Sequence, residues 1–511
     1  MTTLFGDHPA TAPLDDRDVQ FLDTTLRDGE QAPGISLTPD EKAEIALALD
    51  EANVAVVEAG SACTGAGERE TIARVTELGL DARVTSFARG VKNDIDLALD
   101  CGVDGINLVV PASDRHVEDK VDTTREAVVA ETIELVEYAK EHGLWVEVLG
   151  EDGSRGDLEF LTELMGASID AGADRICAPD TVGHATPDRM LEIYAELSEL
   201  GPTSMHTHDD LGLAVTNALV GVAAGADLVH GTVNGLGERA GNAALEEVAI
   251  ALDHGYGVET TDTEMLYELG QLVSSKTGIP LAPNKAVVGE NAFTHESGIH
   301  TDGTLKDDAM YEPYPPEKVG RTRRLVLGKH AGRAGVRAAL AEHGIEVAPD
   351  NLGEIVQRVK RLGDRGKRVT DADLLTIAEE VQGRERERRV ELLDLTAASG
   401  SGTPTASVRL EVDGEERVAS GTGSGPVDAA IAAVKSALGS ASNAQLDSYH
   451  VDAITGGTDA VVTVEVEMSR GDRSVTVAAS DSDITTASVR AMVDSLDRLL
   501  ADADTPVLAD D

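Results

Sequence analysis

An α/β chain is predicted, with a (β/α)8 barrel followed by a helical linker region and a C-terminal α+β domain. Three observations carry this expectation. From about residue 19 to about 275, eight short Val/Ile/Ala-rich runs alternate with longer amphipathic stretches. The residues able to do chemistry fall just after one end of nearly every run. The pattern then loses its period beyond 276 and breaks again at AASGSGTPT, 397–405.

The eight strand candidates are 19–22, 54–58, 83–87, 105–110, 145–149, 174–177, 203–206 and 227–232. Helical patterns lie between them at 39–51, 68–77, 123–141, 158–171, 187–200 and 213–224. Strands covered on both faces are apolar throughout, and eight β-then-α units in about 250 residues match a closed barrel. A doubly wound sheet would carry a Gly-rich phosphate turn after its first strand. Here that turn is charged, TTLRDGEQ at 24–31.

Composition narrows the function. The 511 residues include 93 acidic and 43 basic side chains, a formal charge of −50, spread along the chain. With no basic face, nucleic-acid binding is excluded. Hydrophobic residues reach 41%, so the chain is not a disordered acidic polymer. A protein of this charge suits a high-salt (halophilic) cytoplasm, where the screening length falls to roughly 3 Å at 1 M salt. Three scattered cysteines, Cys63, Cys101 and Cys177, form neither a disulfide framework nor a metal site. No run is long and apolar enough for a membrane span, and residues 1–18 read as a flexible leader without signal-peptide character.

In a barrel, catalytic groups stand at the C-terminal strand ends. Those ends carry Arg27 and Asp28, Glu58, Ser86 and Arg89, Asn107, Glu151 and Asp152, Asp180 and Thr181, His206 and His208, and Asn234. Arg27 can hold a carboxylate or oxyanion through its fork, and Asp28 can ligate a hard divalent metal. By spacing alone a surface ion pair at the turn is the favoured reading of the two. His206 and His208 point to the same side of an extended strand, where two imidazoles can share one metal with Asp28. The competing reading is a pair of unrelated surface histidines. The flanking Asp209 and Asp210 and the strand-end position favour metal, with Mg²⁺, Mn²⁺ or Zn²⁺ equally compatible. Asn242, in NGLGERAGNAALEEV at 234–248, opens the next helix and is either a further ligand or a plain N-cap.

The segment 276–396 is read as helical linker subdomains. Its start is loop-rich and carries His295 and His300, and its helical part holds much of the basic charge. Such a segment can close over an active site of its own or a neighbouring subunit. Its basic cluster suits an acidic thioester cofactor or a solvated helix face. Beyond the break, 397–505 reads as an α+β module: strands at 406–412 and 415–421, a helix at 426–438, strands at 460–468 and 474–480, and a helix at 485–500. Nothing catalytic stands out there, which suits sensing or dimerisation.

The motifs DTTLRDGEQAPGISLTPDEK, APDTVGHATP, HTHDDLGLAVTNAL, NGLGERAGNAALEEV, PNKAVVGENAFTHESGIHTDG and LGKHAGR, in this order, resemble those of the 2-isopropylmalate, citramalate and homocitrate synthases. The resemblance runs from about residue 19 to the end. It implies an acyltransferase that condenses acetyl-CoA with a 2-oxo acid on a metal-dependent barrel, with a C-terminal regulatory domain. It also implies site roles. Asp28, His206, His208 and Asn242 would hold the divalent metal, and Arg27 would polarise the 2-oxo group. Thr181 would bind the substrate carboxylate, and Glu151 would take the proton from the acetyl methyl group. His300 and Tyr311 would be supplied by the partner subunit of a homodimer.

For the 2-oxo acid, EAGSACTGAGERE at 58–70 and MYEPYPPEKVGRTRRLVLGKH at 310–330 resemble the citramalate branch, whose substrate is pyruvate. Isopropylmalate synthases typically continue EAG with Phe-Pro, where this chain has Ser61. Asn107 and Leu149 stand where that branch usually has His and a small Ser, so the larger Leu149 should shrink the pocket toward a methyl group. The competing enzyme reading is a 2-isopropylmalate synthase acting on 2-oxoisovalerate. A retro-aldol lyase would generally lack the C-terminal module. A non-catalytic amino-acid-binding regulator would have lost one of Arg27, Asp28, His206, His208 or Glu151, and none is lost. The implied feedback effector is isoleucine or leucine.

Overall fold

The computed structural model describes residues 14, 17–364, 369–383, 388–400, 402–439, 444–453, 462–471 and 473–500. The chain divides into two compact units, Met1–Phe293 with Tyr314–Arg323, and Thr294–Pro313 with Arg324–Asp511.

The first unit is the barrel. Its parts in order are β1 (Gln20–Asp23), α1 (Pro39–Glu51), β2 (Val56–Ser61), α2 (Ala66–Thr76), β3 (Arg83–Arg89), α3 (Lys92–Asp100), β4 (Gly105–Pro111), α4 (Arg125–Glu141), β5 (Trp145–Glu151), α5 (Leu158–Asp170), β6 (Arg175–Cys177), α6 (Pro187–Leu197), β7 (Thr203–Met205), α7 (Ala214–Ala224), β8 (Leu228–Gly231) and α8 (Leu245–Tyr256). All eight strands pair in parallel, and β1 closes the barrel on β8 through Gln20↔Leu228 to Asp23↔Gly231. A further helix, α9 (Leu266–Thr277), follows.

Local chemistry sets the boundaries. Thr38 caps α1 in a reciprocal box with Glu41, and Pro39 occupies the first turn, where its missing N–H costs nothing. Thr124 and Asp157 cap α4 and α5. Helix α3 was not among the expected helices. It is only nine residues long, and its buried apolar side chains are Ile95 and Ala98.

Three expectations are corrected. Residues 1–13, 15 and 16 of the expected leader lie outside the described residues, but Leu14 and Arg17 are anchored. Leu14 is buried, and Arg17 Nη2 donates to the carbonyls of Gly225 and Ala226 at 2.7 and 3.0 Å. Strand β7 ends at Met205, so His206 and His208 lie just beyond the regular ladder. Asn242 does not open the next helix: α8 starts at Leu245 behind Ala244, and Asn242 forms an antiparallel bridge with His208.

The second unit begins with β9 (Thr294–His295) and α10 (Gly298–Thr304), followed by β10 (Arg324–Leu325) and helices α11 (Arg333–Glu342), α12 (Pro349–Asp364) and α13 (Asp371–Gln382). Then come β11 (Val390–Ala398), β12 (Thr405–Val412), β13 (Glu415–Thr422), α14 (Pro426–Leu438), β14 (Gln445–Ala453), β15 (Val462–Arg470), β16 (Arg473–Asp481) and α15 (Ile484–Leu500). They form two three-stranded antiparallel sheets, β11-β12-β13 and β14-β15-β16. β12 and β13 turn at Asp413-Gly414, both with positive φ. β11 and β14 were not read from the sequence, and the boundary expected at 396/397 falls inside β11. One apolar core runs from Leu327 on the helical side to Leu500, so α11–α13 share their interior with the two sheets. Residues 460–461 of the strand expected at 460–468 lie outside the described residues.

Candidate metal centre at the barrel mouth

The turn after β1 is built by backbone bonds. The N–H groups of Arg27, Asp28 and Gly29 all donate to the Thr24 carbonyl, at 3.1, 2.7 and 3.0 Å. Thr25 ties this turn to the β8 loop, accepting from the Val233 N–H at 2.8 Å and donating to Asp23 at 2.8 Å. The turn therefore presents Arg27 and Asp28 in fixed positions at the strand ends.

Asp28, His206 and His208 converge. Each offers a ligand atom within 4.8 Å of the others, and all three are buried. Asp28 Oδ2 lies 3.4 Å from His206 Nε2 and 3.8 Å from His208 Nε2, and the two Nε2 atoms are 3.3 Å apart. Burial, reinforced by the neighbouring His208 and His230, pushes His206 well below the ordinary imidazole range. Burial lowers His208 too, against the opposing pull of Asp28. Both imidazoles are thus held neutral, the form that ligates a metal.

Asn242 lies beside them. Its Nδ2 donates to the Leu236 carbonyl at 3.1 Å, which fixes the amide, and its buried Oδ1 has no hydrogen-bond partner. The Gly241 turn delivers it: φ is +93°, and a Cβ there would strike the Gly235 carbonyl. Two imidazoles, a carboxylate and an orphaned amide oxygen suit a divalent cation.

A cavity of about 190 Å³ opens on this cluster, lined among others by Arg27, Leu149, Glu151 and Thr181. Arg27 is clamped. Its Nε donates to Glu58 Oε2 at 2.5 Å, its guanidinium lies 4.7 Å from the Phe87 ring centroid, and Nη1 is 3.4 Å from Asp28 Oδ2. Burial works against its charge, but Glu58 and Asp28 outweigh it and raise its pKa.

The other expected residues are placed as follows. Asn107 does not line the cavity; it is buried and donates to Glu58 Oε1 at 2.7 Å. Thr181 lines the cavity, and its hydroxyl accepts from the Asp152 N–H at 2.9 Å. Glu151 lines it too, with both carboxylate oxygens on Lys120 Nζ at 2.7 and 2.6 Å and His116 Nδ1 at 3.2 Å. Glu151 also borders a second, largely apolar cleft of about 310 Å³ that shares Phe87 and Val109 with the first. His300 and Tyr311 belong to the second unit, where their rings stack at 4.3 Å.

Two groups escaped the sequence reading. Glu58 was noted at a strand end but given no role, because nothing in its spacing reveals that it faces both Arg27 and Asn107. His230 and Glu147 sit inside apolar strand patterns, and only barrel closure brings them next to His206.

The chain matches known protein families along most of its length. The HMGL-like family matches residues 18–273, the homocitrate synthase post-HMGL domain-like family 287–367, and the LeuA allosteric (dimerisation) domain 368–500. A relative from Methanothermobacter thermautotrophicus, provisionally named (R)-citramalate synthase, is 54% identical over 94% of this chain and 98% of its own length. One from Methanosphaerula palustris with the same name is 51% identical over 98% of both chains. The chain belongs to the citramalate synthase family. A 2-isopropylmalate synthase from Methanocaldococcus jannaschii is 48% identical over 94% of this chain and 95% of its own length, so the two branches of the family lie close together. Family membership makes the protein an acyltransferase of the HMGL-like class. Among the described residues no helix is long and apolar enough to cross a membrane.

Proposed function

We propose that this enzyme condenses acetyl-CoA with pyruvate and water to give (R)-citramalate and CoA. The observation that carries the reading is the convergence of Asp28, His206 and His208 beside a clamped Arg27, in a chain whose full length matches citramalate synthases. Asp28, His206, His208 and Asn242 would hold a divalent metal, Mg²⁺, Mn²⁺ or Zn²⁺. When bound, such an ion supplies Lewis-acid polarisation of the 2-oxo acid's keto and carboxylate oxygens.

The chain's own residues do the rest. Glu151 takes a proton from the acetyl methyl carbon, and the resulting enolate carbon bonds to the keto carbon of pyruvate. Arg27 stabilises the alkoxide that forms there. Water then cleaves the thioester, releasing CoA. The position of Glu151 between the polar cavity and the apolar cleft supports this role, since a thioester arm in the cleft would offer its methyl group there. Lys120 must leave Glu151 for the carboxylate to act as a base. Thr181 receives the substrate carboxylate. Leu149 walls the cavity and limits the oxo acid's side chain, with Asn107 acting through Glu58. His300 and Tyr311 complete the site from the partner subunit. The match of 368–500 to an allosteric dimerisation domain supports a homodimer that senses isoleucine or leucine. The excess of acid supports a halophilic, cytoplasmic setting.

The second reading, 2-isopropylmalate synthase, is favoured by the M. jannaschii relative. Thiol release from acetyl-CoA is measured in high salt with pyruvate, 2-oxoisovalerate and 2-oxoglutarate, each with and without isoleucine or leucine. Pyruvate is expected to give the highest kcat/KM. A preference for 2-oxoisovalerate overturns the assignment in favour of the second reading.

A further inference from the structure

Behind the metal cluster, the barrel interior holds a line of polar side chains that the condensation chemistry leaves without a role. His206 Nδ1 lies 3.3 Å from His230 Nδ1, and His230 Nε2 lies 3.1 Å from Glu147 Oε1. Glu147 comes from β5, His230 from β8 and His206 from the end of β7. Glu147 is 0% and His230 2% exposed. The rings of His206 and His230 meet edge to face, 5.4 Å apart at 85°.

A carboxylate inside a barrel is unfavourable unless it is paired, and replacing a buried pair with apolar side chains is often neutral or stabilising. Core filling alone therefore does not explain Glu147 and His230. The proton positions follow from the hydrogen-bond geometry and the metal-site reading. His206 Nε2 is the nitrogen that faces Asp28 and His208. With His206 Nε2 offered to a metal, the hydrogen of its ring stands on Nδ1, which donates to His230 Nδ1. His230 Nε2 then carries the other hydrogen and donates to Glu147 Oε1. His208 has no such support, since its buried Nδ1 has no hydrogen-bond partner.

We infer that Glu147 and His230 form a buried positioning relay that holds His206 as its Nδ1–H tautomer, with the Nε2 lone pair aimed at the metal. The inference rests on the metal-site reading above. Neither residue touches substrate, and both act through His206. The reverse polarity, with a protonated Glu147 donating to His230, would place a hydrogen on His206 Nε2 and block ligation.

The test uses the full-length protein in high salt and Mn²⁺ as the probe. In the metal-free wild type, ¹⁵N NMR of the His206 ring should show a protonated Nδ1 and a bare Nε2; a protonated Nε2 overturns the relay. By calorimetry, His230→Leu should weaken Mn²⁺ binding by about 10–100-fold, the usual cost of losing a group that orients a metal-ligating histidine. His230→Asn, whose amide oxygen can replace the acceptor, should stay much closer to wild type. Circular dichroism reports whether each variant is folded. A folded His230→Leu protein with wild-type Mn²⁺ affinity overturns the relay. Wild-type protein that binds no Mn²⁺ overturns the metal-site reading instead. If His230→Leu does not fold, the ring protonation in the wild type decides.

Discussion

Arg27 Nε donates to Glu58 Oε2 at 2.5 Å, joining the turn after β1 to β2 beside the cavity that Arg27 lines. The other oxygen of Glu58 accepts from Asn107 on β4. The turn after β1, β2 and β4 are thereby tied together around one buried carboxylate, and Arg27 cannot rotate freely. Removing Glu58 would leave Arg27 charged and poorly paired. Glu58→Ala should therefore destabilise the fold by about 3 kcal/mol, the scale for breaking one side of a buried pair. It should also lower kcat/KM for the 2-oxo acid. Urea denaturation and steady-state CoA release measure the two effects.

Asn242 offers an oxygen that nothing else in the described structure uses. Asn242→Ala should weaken divalent-metal binding, and Asp28→Asn should weaken it more because charge is lost. Chelator dialysis should abolish CoA release, and added Mn²⁺ or Mg²⁺ should restore it. Calorimetric titration of each variant with Mn²⁺ gives the order, and unchanged affinity in Asn242→Ala would remove Asn242 from the ligand set.

Leu149 lines the cavity and is only 3% exposed. Leu149→Ala should enlarge the cavity and move the ratio of kcat/KM for 2-oxoisovalerate over pyruvate upward by about tenfold, within the usual 1–3 kcal/mol of apolar discrimination. The truncation should also cost stability, about 2–5 kcal/mol where the site cannot collapse. Paired substrate kinetics and a thermal melt check both.

Asp23 makes stability depend on pH. Burial raises its carboxyl from 3.8 to about 7, partly offset by the hydrogen bonds from Thr25. The folded chain keeps a proton that the unfolded chain releases above its ordinary pKa, about 3.9. Stability from this group is therefore full at low pH and declines as pH rises to about 7, where it levels off. Asp23→Asn should flatten that slope in urea midpoints measured from pH 5 to pH 8.

A net charge of −50 repels itself unless salt screens it. The melting temperature and the activity should both rise with KCl from 0.1 M toward 1 M, roughly as the screening length shrinks from 10 to 3 Å. A melting temperature independent of salt would remove the halophilic reading.

The barrel was legible because its strands are short apolar runs at regular spacing and its helices carry their own caps. Thr38 with Glu41 is one example. The second unit was less legible. Strand β11 alternates poorly, with Glu391, Leu393 and Asp394 all exposed, and it is a strand because β12 pairs with it from Val390↔Val412 to Ala398↔Thr405. Strand β14 is mostly exposed along its length and owes its place to pairing with β15.

The sequence by itself determined the eight-unit barrel, the end at which its chemistry stands, and the residue types gathered there: Arg27, Asp28, Glu151, Thr181, His206 and His208. These depend on local periodicity and on the rule that parallel strands all end on one side. Only the tertiary structure decided which partners those residues have. Closing β1 against β8 brings Asp28 within 3.4 Å of His206, the pairing of β1 with β2 gives Arg27 its clamp on Glu58, the neighbouring β4 puts Asn107 on Glu58 rather than on the cavity wall, and the closed interior sets His230 and Glu147 behind His206. Such contacts join residues from 24 to 178 positions apart, and distances of that kind are fixed by strand pairing and barrel closure rather than by local pattern.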